Sequence, residues 1–144
     1  MKKNVSVLYC SILLILGFGC ASSPTGSDAP AVLTAGWSKT DAAPGSCMLR
    51  SGATVEIRLD ANATTGYSWQ FTPSGDPDVV VLEKHFYSVP ESSRDLCGAP
   101  GTDVWRFRAA KKGRAVLTFR YFRQWQKFDP AHDAERAFTV VVTE

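Results

Sequence analysis

Few side chains in this 144-residue chain belong to the types that catalyse reactions or hold metal ions. There are two histidines: His85 lies in an alternating, strand-like run, and His132 lies beside Asp133 in the segment 129–133. That segment could hold a metal ion, but it lacks a second histidine or a cysteine as a further ligand. Cys97 could act as a nucleophile with a histidine, yet no activating motif surrounds it. An enzyme is therefore the weaker interpretation, and we predict no catalytic residue, metal ion or cofactor.

Three short segments are more informative because their composition suits contact with another molecule. The first, 62–67 (loop 1), is small, polar and uncharged, and its glycine permits a sharp turn. The second is the flexible segment 96–102, whose part 98–102 we call loop 2, and its small residues let another backbone approach closely. The third, 123–125 (loop 3), places an arginine near a tryptophan, as binding hot spots often do. Each segment alone is equally compatible with an ordinary turn, or with a tryptophan folded onto its own core.

The elements between these loops show an alternation of apolar and polar residues with a period of two. In the clearest run, Val55, Ile57 and Leu59 alternate with polar residues, which predicts a half-buried strand. Similar runs cover residues 67–71, 79–87, 104–109, 117–121 and 138–142. Turn signals separate them, and no segment shows convincing helical amphipathicity. Six or seven short strands at this spacing predict an all-β fold, an immunoglobulin-like β-sandwich of about 110 residues.

The three loops and their order resemble a known family. The chain reads Asn-x-Thr-Thr-Gly-Tyr-x-Trp from residue 62, then Gly-x-x-Gly-Thr from 98, then Arg-x-Trp from 123. This ordered set, on a β-patterned chain, resembles the chagasin family, which inhibits papain-like cysteine peptidases in protozoa and bacteria. The likeness covers about residues 46–144, including the strand 55–59 and the late segment 132–140.

The resemblance implies an immunoglobulin-like sandwich with three binding loops at one end and a reversible, competitive mode of inhibition. Loop 1 would wedge into the peptidase cleft over the catalytic cysteine, while loops 2 and 3 would flank the cleft. It assigns the peptidase-binding role to Asn62, Thr64, Thr65, Gly66, Gly98, Ala99, Pro100, Gly101, Thr102, Arg123 and Trp125, and a structural role to Tyr67 and Trp69. Two prolines usual in the family are replaced by Ala63 and Gln124. Both replacements make the loops less stiff.

The first residues predict export and a lipid anchor. Lys2 and Lys3 precede an apolar run, 5–18, that has the length of a signal-peptide core. The segment 16–20 resembles a bacterial lipobox ending at Cys20, although Leu16 lies one position early; an ordinary signal peptide cleaved near Ala21 is the alternative. We expect a signal peptide at 1–19, a flexible tether at 20–36, and the inhibitor domain at 37–144. The expected location is the bacterial cell envelope. The outer membrane is favoured because residue 21, directly after the proposed anchor, is alanine and not the aspartate that often marks inner-membrane retention in related lipoproteins.

Charge and cysteine content narrow the class of protein further. Removing Lys2 and Lys3 from the 16 basic residues leaves 14, which equals the 14 acidic residues, and this balance argues against a nucleic-acid partner. In an oxidising compartment Cys47 and Cys97 could form a disulfide, or remain separate thiols. We expect a monomer whose partners are a papain-like cysteine peptidase and the membrane. The alternative function is that of an immunoglobulin-like envelope lipoprotein that binds carbohydrate or another envelope protein.

Overall fold

The computed structural model describes residues 29–37 and 45–144, which form two packed β-sheets. The strands are β1 (Ala31–Ala35), β2 (Ser46–Arg50), β3 (Thr54–Ala61), β4 (Tyr67–Gly75), β5 (Val80–Ser88), β6 (Gly101–Ala109), β7 (Gly113–Arg123) and β8 (Ala134–Thr143). Two short 3-10 turns, Ala63–Thr65 and Glu91–Ser93, lie in the connections after β3 and β5. The architecture confirms the predicted all-β sandwich.

Each sheet contains four strands. Sheet 1 has the order β1-β3-β6-β5, and sheet 2 has the order β2-β8-β7-β4. The pairs β1–β3 and β2–β8 are parallel, whereas the other neighbouring pairs are antiparallel. The edges of the sandwich are therefore β1 and β5 in one sheet, and β2 and β4 in the other.

The alternation seen in the sequence places one face of each sheet in the core. Val55, Ile57 and Leu59 of β3 are fully buried, as the period of two predicts. At the centre, the ring of Phe119 on β7 lies 5.3 to 6.4 Å from four other aromatic rings, those of Phe71, Trp105, Phe107 and Phe138. Tilted and edge-on ring pairs of this kind add to the stabilisation from apolar burial.

One charged residue on the outer face of sheet 1 is also buried. Glu56 is only 3% exposed, because the arginines beside it cover its carboxylate. Arg106, its cross-strand partner on β6, and Arg58 on the same strand each donate two hydrogen bonds to it. These donors, Arg106 above all, lower the pKa of Glu56, and partial desolvation opposes them without reversing the shift. The carboxylate therefore holds two neighbouring strands together while it is ionised.

The structure differs from the sequence analysis at the start of the domain. The range expected to be a tether, 20–36, contains β1, which pairs in register with β3 from Ala31–Val55 to Ala35–Leu59. Five residues are too few to show a clear period, but Leu33 packs against the core and the edge of β3 supplies hydrogen-bond partners. The signal segment, Cys20 and residues 20–28 lie outside the described residues. Within the described ranges, no helix has the length and apolar character needed to cross a membrane.

The hypothesised Cys47–Cys97 disulfide is absent, since both residues are free thiols. Cys47 on β2 pairs with Val140, six residues along β8 from Ala134. At about 3.3 Å per residue, this register places Cys47 roughly 20 Å from the end of the sandwich where Cys97 lies. A disulfide needs Cα atoms within about 7 Å. The strand register therefore explains why the two thiols do not meet.

Candidate functional site

The strand register brings the three predicted loops to one end of the sandwich, which we call the loop pole. Ala61, where β3 ends, pairs with Gly101, where β6 begins. In the other sheet, Tyr67 at the start of β4 pairs with Arg123 at the end of β7. Loops 1, 2 and 3 extend from these four positions and consequently lie side by side.

Loop 1 is fixed by its own hydrogen bonds. The side-chain oxygen of Asn62 accepts from the backbone N–H of Thr64 at 3.1 Å and from its hydroxyl at 2.7 Å. The hydroxyl of Thr65 donates to the carbonyl of Asn62 at 2.7 Å. Gly66 ends the 3-10 turn at φ +77°, a left-handed conformation that glycine adopts without strain. The tip is therefore a compact, neutral turn whose polar groups are partly satisfied within the loop.

Aromatic side chains of both sheets support the strand end beneath loop 1. The hydroxyl of Tyr121 accepts from the backbone N–H of Asn62 at 2.9 Å. The indole N–H of Trp69 donates to the carbonyl of Asp60 at 2.9 Å, and the hydroxyl of Tyr87 donates to the carbonyl of Ala61 at 3.3 Å. The loop consequently stands on a framework that is continuous with the core.

Loop 2 is attached to loop 1 by a direct hydrogen bond. The side-chain amide of Asn62 donates to the carbonyl of Gly98 at 3.1 Å. Gly98 has φ +78°, and a Cβ on Gly101 would lie 2.6 Å from the carbonyl oxygen of Ser88. Glycine is required at both places, at Gly98 for its conformation and at Gly101 for close packing. Beside the loop, the apolar side chain of Leu96 is 63% exposed, although the sequence did not predict a peptidase-binding role for it.

Loop 3 rests on loop 1. The indole of Trp125 lies over Gly66, where a Cβ would come within 2.5 Å of the ring carbon Cη2. The guanidinium of Arg123 lies 4.8 Å from the ring centre of Tyr67, and its Nε donates to the carbonyl of Thr65 at 3.4 Å. Trp125 is nevertheless 72% exposed, so it is not folded onto the core. Its free ring surface lies at the loop pole beside the neutral turn.

A cavity of about 410 Å³ opens next to loops 1 and 3. Its aromatic walls are Trp37, Tyr67 and Tyr121, and His132 and Asp133 border it from the connection between β7 and β8. The ring of Trp37 stacks on that of Tyr121 at 6.3 Å. Trp37 was not predicted as a site residue, because a single tryptophan after an irregular segment carries no positional signal.

The histidines have structural partners. Nε2 of His85 lies 2.5 Å from a carboxylate oxygen of Asp103, and its ring stacks on Trp105 at 3.5 Å. Nδ1 of His132 lies 2.6 Å from a carboxylate oxygen of Asp129, and both residues are in the connection between β7 and β8. Burial raises the pKa of Asp103, although its contact with His85 opposes the shift. Across the described ranges, no three His, Cys, Asp or Glu side chains are grouped in a way that could hold a metal ion.

This sandwich with three loops at one pole defines an immunoglobulin-like fold that is shared with several solved structures, one of them named a cysteine protease inhibitor. A cysteine protease inhibitor from Entamoeba histolytica, EhICP2, matches with a TM-score of 0.61 and 19% identity, over 78% of this chain and 96% of its own. Amebosin matches with a TM-score of 0.60 and 22% identity, over 80% and 99% of the two chains. PbICP-C, solved in complex with falcipain-2, matches with a TM-score of 0.51 and 20% identity, over 78% and 99%.

Sequence comparison identifies the family. Residues 48–142 match the chagasin family of peptidase inhibitors, I42. Chagasin of Trypanosoma cruzi is 35% identical over 92 residues, which cover 62% of this chain and 79% of that protein. The chain belongs to the chagasin family; it is a peptidase inhibitor and not an enzyme. The alternative drawn from the sequence, an envelope lipoprotein that binds carbohydrate, has no support among these relatives.

Proposed function

We propose that this chain inhibits papain-like cysteine peptidases reversibly and competitively through its loop pole. Loop 1 occupies the active-site cleft, and loops 2 and 3 contact the two walls of the cleft. The target class is supported by the family membership and by two structural relatives, one named a cysteine protease inhibitor and one solved with falcipain-2.

The observation that carries the proposal is the attachment of loops 2 and 3 to loop 1. Asn62 holds Gly98 through its amide, and Trp125 covers Gly66. Loops that are already ordered in the free protein lose little conformational entropy when they bind. The prolines absent at positions 63 and 124 are thus partly compensated by contacts between the loops.

The conformation of loop 1 also explains why it would block a peptidase without being cleaved readily. Thr64 and Thr65 lie in a 3-10 turn, a compact backbone form that differs from an extended strand. Its hydrogen bonds must break before the chain can extend along the cleft. An uncharged tip also enters the cleft without burying an unpaired charge.

The test is a titration of papain and cathepsin L with the full chain carrying Cys20→Ala. We expect competitive inhibition, and Trp125→Ala should weaken it by about 2 kcal/mol or more, which is roughly thirtyfold in the inhibition constant. Met48→Ala is the matched control, because Met48 is 74% exposed on β2, remote from the loop pole. Absence of inhibition at micromolar concentration, or equal losses in both variants, would contradict the proposal.

We further propose that the chain is exported and acylated at Cys20, and that it resides in the bacterial outer membrane. The support is the lipobox-like segment 16–20 together with the direction of β1. Ala31 pairs with Val55, at the end of β3 remote from Ala61, so a tether from Cys20 would join the domain opposite the loop pole. Labelled palmitate should be incorporated by the native chain and not by Cys20→Ala; equal incorporation, or none in either, would contradict the anchor.

A further inference from the structure

The outer edge of β5 carries an unusual concentration of exposed apolar side chains. Val81, Leu82, Phe86 and Tyr87 are each 36–41% exposed, although all four lie in one nine-residue strand. On one side β5 pairs with β6, and it is the last strand of sheet 1 on the other. An edge strand presents unpaired backbone N–H and C=O groups on which another strand can pair.

The other three edges are less suited to pairing. β1 and β2 contain five residues each, and β4 carries Pro73, which lacks the N–H that a ladder needs. β5 contains nine residues and neither proline nor glycine. Among the described strands, β5 is therefore the edge that offers the longest unblocked ladder.

A bulge determines which β5 side chains share a face. The pairing with β6 shifts between Leu82 and Lys84, so Glu83 is the extra residue. Glu83 bonds Arg108 at 2.8 Å, a neighbour on the outer face. Beyond the bulge, Lys84 and Phe86 continue on that outer face, which Val81 shares. Leu82, His85 and Tyr87, which pair with inner-face residues of β6, point to the inner face.

We propose that β5 pairs antiparallel with β5 of a second copy of this chain, with Glu83 opposite Lys84 of the second copy. The two-fold axis then passes between these residues, so the interface contains two symmetry-related pairs of opposite charge, each with one residue from each copy. In the same register Val81 lies opposite Phe86 of the second copy, and both are on the outer face. A shift of one residue would set Val81 opposite His85, on the wrong face.

The surroundings of β5 favour this partner. A groove of about 230 Å³ runs between β4 and β5, with apolar walls that include Phe71, Leu82 and Leu117. A second sandwich placed at the β5 edge would cover part of this groove and remove apolar surface from water. The pairing would join sheet 1 of one copy to sheet 1 of the other, which gives one continuous eight-stranded sheet.

The dimer leaves both inhibitory sites available. β5 runs toward the loop pole, where Ser88 pairs with Thr102. Antiparallel pairing consequently points the loop poles of the two copies in opposite directions. The proposal departs from the monomer that we expected from the sequence, because the two-fold dimer would carry two separate peptidase-binding ends.

The test uses charge reversal and its rescue, measured by sedimentation velocity on the full chain in detergent. We expect the native chain to dimerise. Glu83→Lys and Lys84→Glu should each weaken association about tenfold or more. The reason is that each substitution, repeated by the two-fold symmetry, places two pairs of like charges opposite one another across the interface. The double variant Glu83→Lys/Lys84→Glu restores opposite charges and should restore the dimer. Association through the N-terminal segment would be common to all variants and would not follow this pattern.

Glu135→Lys is the matched control, because Glu135 also forms an exposed ion pair with an arginine, Arg120, but in sheet 2. It should leave the dimer unchanged. A native chain that is monomeric at 100 μM, on the order of the concentration at which a weak dimer forms, would overturn the proposal. So would a dimer that is indifferent to both single reversals, or a double variant that stays monomeric. Circular dichroism of each variant establishes that loss of the dimer is not loss of folding.

Discussion

At the scale of single residues, the site depends both on the missing side chain of Gly66 and on the hydrogen bonds of Asn62. Gly66 allows the left-handed end of loop 1, and its lack of a side chain leaves room for Trp125. Asn62 uses its side-chain oxygen to hold Thr64 and its amide to hold Gly98. One glycine and one asparagine thus connect all three loops, which explains why small changes there should affect binding more than folding.

Gly66→Ala should separate these two effects. The new methyl group would lie 2.5 Å from the Trp125 ring and displace it, so we expect inhibition to weaken about tenfold or more. The left-handed backbone should cost about 1–2 kcal/mol of stability. Gly52→Ala is the control, because Gly52 has φ +86° and no atom within 4 Å of the added carbon. Similar stability loss with unchanged inhibition in the control is the expected result; equal loss of inhibition in both variants would contradict the role of the Gly66–Trp125 contact.

At the scale of elements, the sequence predicts strands well where alternation is regular. The buried alternate residues of β3, β6, β7 and β8 gave the correct faces. The sequence indicated one strand at 79–87, which the structure contains as β5. The bulge at Glu83 interrupts its alternation, so the pattern alone does not give which β5 side chains share a face. β1 was missed because its five residues are too short to show a period.

The candidate site was predictable in its loops and less so in their surroundings. The order of the three motifs identified loops 1, 2 and 3, and the strand register explains why they meet. Trp37 and Leu96 carry no such pattern, since their importance depends on contacts and exposure that appear only in three dimensions. The disulfide hypothesis was wrong for the same reason: compartment and cysteine count suggest a pair, but register decides whether two thiols meet.

At the scale of the whole molecule, charge contributes to stability through a few specific contacts. After removal of the two N-terminal lysines the basic and acidic residues are equal in number, so no large net charge opposes folding. The ion pair of Glu56 with Arg106 and Arg58 is distinctive because the carboxylate is 3% exposed. Other ion pairs, such as Arg120–Glu135, have both side chains about half exposed and should contribute little.

Glu56 should therefore make the stability of the fold depend on acid pH. Its pKa in the folded state lies below the usual glutamate range, so ionised Glu56 stabilises the fold above that range, and this contribution disappears as pH falls through the folded-state pKa. Glu56→Gln should lose about 1–3 kcal/mol at pH 7, from the lost charge-assisted hydrogen bonds. The difference between the native chain and the variant should shrink as pH falls from about 5 toward 3.

Asp103, whose pKa is raised by burial, acts in the opposite sense, but it is present in both proteins and cancels from the comparison. Urea unfolding at a series of pH values measures the difference, with Glu135→Gln as the exposed control. A difference that stays constant with pH would show that the ionised carboxylate of Glu56 does not join the two strands.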